Sequence, residues 1–111
     1  MLHEKLVVYQ EALNLAEEIS KASAKWPRGY YYLIDQLKRA ISSIVLNIAE
    51  ANGREGINDR KRFFTIAKGS ASEVSACIDL AKVFNLLKPE ISMSYKSKIN
   101  LIDRLLWGLI K

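Results

Sequence analysis

Apolar residues recur every three or four positions along almost the whole chain, interrupted by only two prolines, Pro27 and Pro89, and five glycines. Spacing near 3.6 gathers such residues on one face of an α-helix, whereas a half-buried strand alternates with period two. The chain therefore reads as all-α. A first segment, about Glu4 to Lys25, aligns Leu6, Tyr9, Ala12, Leu13, Ala16 and Ile19. The run Trp26-Pro27-Arg28-Gly29 stops it, because proline disfavours helix in the residue before it. A second, about Tyr31 to Asn52, stacks Leu33, Leu37, Ala40, Ile41, Ile44 and Ile48 and ends on the signal Asn52-Gly53.

The third segment opens near Asn58 as N-cap, with Asp59 in the first turn, and extends to about Leu87. Its stripe is Phe63, Ile66, Ala67, Ser70, Ala71, Val74, Cys77, Ile78, Ala81 and Phe84. The fourth starts at Pro89 as a first-turn residue, or at Ser92 as a cap, and carries Ile99, Ile102, Leu105, Leu106, Leu109 and Ile110 to the end. Four amphipathic helices with short connections bury their stripes most simply as an antiparallel up-down four-helix bundle. At 111 residues this is one domain, residues 1–111.

Inventory excludes most chemistry. One cysteine, Cys77, and one histidine, His3, leave no internal disulfide, no His/Cys metal cluster and no histidine-dependent triad in the core of the chain. Glu-x-x-His pairs of the di-iron bundles are absent. Lys68-Gly69-Ser70 lies inside a helix without the glycine spacing of a phosphate loop, so Gly69 reads as a small residue at a helix crossing. Cys77 falls on the apolar stripe, as an inert buried thiol would. The chain reads as a non-enzyme with no cofactor. No run of about 18 uncharged apolar residues occurs, and the start lacks a basic-then-apolar leader pattern, so a soluble cytoplasmic protein without a membrane partner is expected.

Helix two carries a polar row, Gln36, Arg39, Ser43, Asn47 and Glu50, on one flank of its apolar face. Glu73 falls by angle inside the apolar stripe of helix three, where a charge needs a partner. If helices two and three form a hairpin centred on Arg54 to Gly56, Arg39 faces Glu73, Glu50 faces Arg62, and Ser43 sits level with Gly69 and Ser70. The row then reads as a structural ladder that fixes register. Removing Arg39 would strand a buried Glu73 at a cost on the order of 3 kcal/mol.

Net charge is +5, with 17 Lys and Arg against 12 Asp and Glu, and most of the excess lies in residues 82–111. A second basic set, Arg54, Arg60, Lys61 and Lys68, sits where loop and helix-start cations can reach phosphates together, and these are the candidate contacts to RNA or DNA. Trp26, Trp107 and the run Tyr30-Tyr31-Tyr32 are read first as packing. Helix four nevertheless holds more apolar surface than a bundle uses: eight of the twelve residues from Ile99 to Ile110 are apolar, with Leu101 and Trp107 beside the main stripe. Tyr30, Tyr31, Leu101 and Trp107 are thus the candidate contacts of a homo-oligomer.

Several segments in order, Asp35-Gln36-Leu37-Lys38-Arg39-Ala40, Ser43 to Glu50 (Ser-Ile-Val-Leu-Asn-Ile-Ala-Glu), Arg62 to Ser70 and Glu73, resemble the 23S rRNA intervening-sequence protein family, also labelled four-helix bundle protein. Leu6-Val7-Val8-Tyr9, Trp26-Pro27 and Gly108-Leu109-Ile110 extend the resemblance over nearly the whole chain. The related accessory variability determinant of diversity-generating retroelements is a homopentamer that binds nucleic acid and a reverse transcriptase. The resemblance implies a four-helix bundle, a pentamer, nucleic-acid binding and, through that relative, a reverse transcriptase as partner. Where the family has Trp, Pro and Gly, this chain has Tyr9, Val45 and Ala51. Loss of the proline is expected to straighten helix two. Two readings follow: a homo-oligomeric nucleic-acid-binding accessory protein, and an interaction scaffold ring with no nucleic-acid role.

Overall fold

The computed structural model describes residue 3 and residues 6–111, and folds them into four helices: α1, Val7–Ser23; α2, Tyr31–Asn52; α3, Ile57–Val83; and α4, Pro89–Ile110. A 3-10 turn, Arg28–Tyr30, links the first two. Each helix packs on its two neighbours in the cycle α1-α2-α3-α4 and not on the one diagonally across, as an antiparallel up-down bundle requires. The bundle measures 44 × 22 × 20 Å. No helix among the described residues is long and apolar enough to cross a membrane.

Several boundaries have local causes that composition did not reveal. The Glu4 start expected for the first helix lies outside the described residues, and the helix ends at Ser23, before Trp26, which folds back into the core at 8% exposure. α2 stops at Asn52 as expected, but Gly53 has φ −84, so no left-handed glycine closes it; instead the Gly53 N–H is shared between the carbonyls of Ala49 and Glu50 at 3.2 and 3.1 Å. The N-cap of α3 is Gly56 rather than Asn58, which lies within the first turn. α4 opens at Pro89, and Ser92 is buried within the helix rather than capping it.

The end of α3 departs most from expectation, four residues short of Leu87. Asn85 takes φ 60, the Leu86 N–H reaches back to the Ala81 carbonyl at 2.8 Å, and the Asn85 N–H reaches Lys82 at 3.0 Å. This is a Schellman closure with asparagine where glycine is usual, so periodicity alone read through it.

The core is contiguous, and every expected α2 position is in it. Without the family's proline, α2 runs unbroken for 22 residues. The α1 stripe is rotated from expectation: Val8, Ala12, Leu15 and Ile19 are buried, while Leu13 is exposed. Both arcs of α1 are apolar, and only the positions of α2 and α4 choose between them. In α3, Phe64 is buried and Ile66 exposed, while Phe63 lies partly covered beneath the guanidinium groups of Arg54 and Arg62, 4.8 and 4.4 Å from its ring centre.

Candidate nucleic-acid interface

Two faces of the bundle carry the residues that the sequence singles out. On the α2–α3 face, Ser43 and Ser70 meet at 2.7 Å between hydroxyls, as the hairpin register requires. The Asn47 side-chain amide donates to the Ser43 carbonyl at 2.8 Å and to its hydroxyl at 3.1 Å, and Ser70 donates to the Ile66 carbonyl at 3.2 Å. Gln36, Arg39, Ser43, Ser70 and Glu73 line one groove of about 360 Å³.

The ion pairs expected in that ladder do not form. Arg39 binds Asp35 at 3.3 Å, one helical turn away, with side chains 75% and 69% exposed. Glu73 is exposed. Glu50 pairs with Arg54 at 3.0 Å and Arg62 with Asp59 at 3.0 Å. Small hydroxyls occupy the contact between helices, so the long side chains stay on the solvent rim. There a partner three or four residues away along the chain costs less side-chain entropy than one across the gap. Gly69 is also not at the crossing: it faces solvent, and a Cβ there would meet nothing within 4 Å.

The second face lies between α3 and α4, at the end where α3 begins and α4 finishes. A Lys68–Asp103 ion pair at 2.9 Å and a Lys96 hydrogen bond to Ser75 fix the register of the two helices. In that register Trp107 comes level with Phe64, and Lys111 with Arg60. Lys68, Asp103, Arg104, Trp107 and Lys111 line a recess of about 640 Å³; Ile57, Arg60, Lys61, Phe64 and Leu109 line a neighbouring one of about 210 Å³. Among side chains, these linings hold five cations against the one carboxylate of Asp103. Arg60, Lys61, Arg104 and Lys111 have no ion-pair partner among the described residues. Trp107, 51% exposed, shares its recess with Lys68, Arg104 and Lys111.

Of the four cations singled out from the sequence, Arg60, Lys61 and Lys68 reach this face. Arg54 does not: it lies on the α2–α3 side, bound to Glu50 and 3.7 Å from Asp59. The four expected oligomer contacts are not one patch either. Tyr30 packs on Phe84 with ring centres 5.6 Å apart, and exposed Tyr31 stands at the end of the bundle opposite Trp107. Arg104 and Lys111 were missed, although their positions three residues before and four after Trp107 already put them on its side of a helix.

Among titratable groups, burial and then the Glu73 carboxylate push the Cys77 thiol above its ordinary range. Burial and the Glu18 carboxylate push the Tyr95 phenol up, against an opposing pull from Lys98. No group of three or more metal-binding side chains comes together among the described residues.

No curated protein matches the sequence. A crystal structure at 1.70 Å of a protein of unknown function from the S23 ribosomal protein family of Bacteroides thetaiotaomicron is 25% identical and superposes with a TM-score of 0.86, covering 95% of this chain and 99% of that one. The family model for the 23S rRNA-intervening sequence protein matches residues 4–108. With nearly its whole length and all four helices accounted for in this way, the chain belongs to the 23S rRNA-intervening sequence protein family.

Proposed function

We propose that this chain is a non-enzymatic, nucleic-acid-binding accessory protein that works as a homo-oligomer, five copies being the number that family resemblance implies. The observation that carries the nucleic-acid reading is a pair of recesses at one end of α3 and α4, one holding Lys68, Arg104 and Lys111 beside Trp107 and the other holding Arg60 and Lys61, with Asp103 as the one side-chain carboxylate in the two linings. Cations concentrated on one end of a helix pair displace counterions from a phosphate backbone, so affinity falls by about 0.7 to 0.9 log units per contact for each log unit of salt. Binding of RNA or DNA oligonucleotides at several salt concentrations tests this. The expected slope corresponds to several contacts, and the combined variant Arg60→Glu, Lys61→Glu, Arg104→Glu is expected to lose most of it. Absence of binding at about 50 mM salt overturns the reading.

The second reading, a scaffold ring without a nucleic-acid role, is favoured by the α2–α3 face. Leu46 is 63% exposed there, and Ile66, Gly69, Glu73 and Leu80 follow on one outward face of α3. A glycine inside a helix costs roughly 0.5–1 kcal/mol relative to alanine, and nothing within this chain requires it at position 69. A second copy approaching closely would. Light scattering at micromolar concentration separates the assemblies, and a mass that stays near 12.6 kDa as concentration rises overturns oligomerisation.

A further inference from the structure

We infer that Trp107 is a base-stacking platform and that the α3–α4 groove takes single-stranded rather than duplex nucleic acid, an inference that rests on the nucleic-acid reading above. The two tryptophans have opposite fates: Trp26 is 8% exposed in the core, whereas Trp107 stands half in solvent between Lys68, Arg104 and Lys111. A duplex offers phosphates and groove edges to such a surface, and its base faces are covered by stacking. Only an unstacked base can cover an indole face while its phosphates meet the flanking cations.

The groove continues beyond the tryptophan. Lys68 and Asp103 also line a polar cleft of about 230 Å³ with Ala71, Ser72, Ser75 and Asn100, which Lys96 closes by bonding Ser75 and Asp79. Ser72 and Asn100 hold no side-chain hydrogen bond among the described residues. A hydroxyl and an amide, each able to donate and accept, suit base edges or a ribose hydroxyl. From Lys96 to Lys111 the helix advances about 22 Å, enough for a short run of nucleotides leading away from the stacked base. Charge also argues against a second copy as the occupant, because two such faces brought together would oppose cation to cation.

Indole fluorescence of the parent chain and of Trp26→Phe, in which Trp107 is the one tryptophan left, is titrated with an oligo(dT) strand, the same strand carrying abasic sites, and a duplex of equal length. The single strand is expected to quench Trp107 and to bind more tightly than the abasic strand. Trp107→Ala is expected to weaken single-strand binding by roughly 5- to 150-fold with an unchanged salt slope, while Trp107→Phe keeps most of it. Circular dichroism of all three variants checks that the helices persist. Equal affinity of parent and Trp107→Ala for the single strand, or equal quenching by the duplex, overturns stacking while leaving phosphate binding intact. An emission change with protein concentration alone shows a second copy on this face and overturns it as well. Failure of every nucleic acid to bind at about 50 mM salt removes the wider reading and this inference together.

Discussion

Ser43 and Ser70, 27 residues apart, share one hydrogen bond of 2.7 Å that joins α2 to α3. The Ser70 hydroxyl also reaches the Ile66 carbonyl, and Ser43 accepts from the Asn47 amide. The polar row between the two helices is a relay of small neutral groups, and the charges lie outside it.

Register should therefore depend on the hydroxyls and not on the ions. Ser43→Ala is expected to cost about 1 kcal/mol, and a double-mutant cycle with Ser70→Ala should show coupling of roughly 0.5–1.5 kcal/mol. Arg39→Ala should cost below about 0.5 kcal/mol, because its partner Asp35 is as exposed as it is. Urea denaturation of the parent, the two single serine variants, their double variant and Arg39→Ala measures all three. A loss near 3 kcal/mol for Arg39→Ala would restore the buried ion pair.

The left-handed residue at the end of α3 gives a second test. Asn85→Gly should hold or raise stability by a few tenths of a kcal/mol, since glycine adopts φ 60 without a Cβ clash, whereas Asn85→Ala should lose about 1 kcal/mol. Thermal melts of the two variants in parallel decide it. Equal melting temperatures would mean that the closure adds nothing.

Gly69 separates stability from assembly. Gly69→Ala is expected to stabilise the isolated chain by roughly 0.5–1 kcal/mol, because the added methyl meets nothing within 4 Å. Gly69→Trp should leave the helical signal intact and reduce the assembled mass in light scattering. An unchanged mass in the tryptophan variant would take the α2–α3 face out of the oligomer.

Cys77 and Tyr95 are expected to contribute to the loss of stability at alkaline pH. Both are raised, so each stabilises fully below its ordinary value, 9.0 for the thiol and 10.0 for the phenol, and loses that contribution as pH climbs through the higher folded value. Stability should fall from about pH 9 upward, and Cys77→Ala should flatten the first part of the decline. In the native chain at pH 8, the thiol is expected to react with a disulfide reagent only as fast as the bundle opens. Immediate stoichiometric reaction would contradict its burial.

Asp103 tempers the cationic face, holding Lys68 at 2.9 Å. Asp103→Asn should therefore tighten oligonucleotide binding and steepen its salt dependence by about one contact, whereas Lys68→Ala, which leaves Asp103 unpaired, should weaken binding more than Lys61→Ala. Fluorescence anisotropy at two salt concentrations compares them. Weaker binding by Asp103→Asn would place the phosphates elsewhere.

The helices, their order and the hairpin register were legible in the sequence, because periodicity, Pro27 and Pro89 are local signals, and because Ser43 and Ser70 lie at matching distances from one turn. The family resemblance came from the same ordered segments. Tertiary structure decided which of two apolar arcs of α1 is buried, that Glu73 and Gly69 face solvent, and that Arg39 turns to Asp35. It also decided that Lys68 of α3 shares a recess with Arg104, Trp107 and Lys111 of α4, that Arg60 and Lys61 line a second recess at the same end, and that Arg54 is held on the other side. The reason is one of rotation. A helical pattern fixes angles within a helix, but the direction of a neighbour, and hence the flank that meets another chain segment rather than water, is set only when the four helices pack.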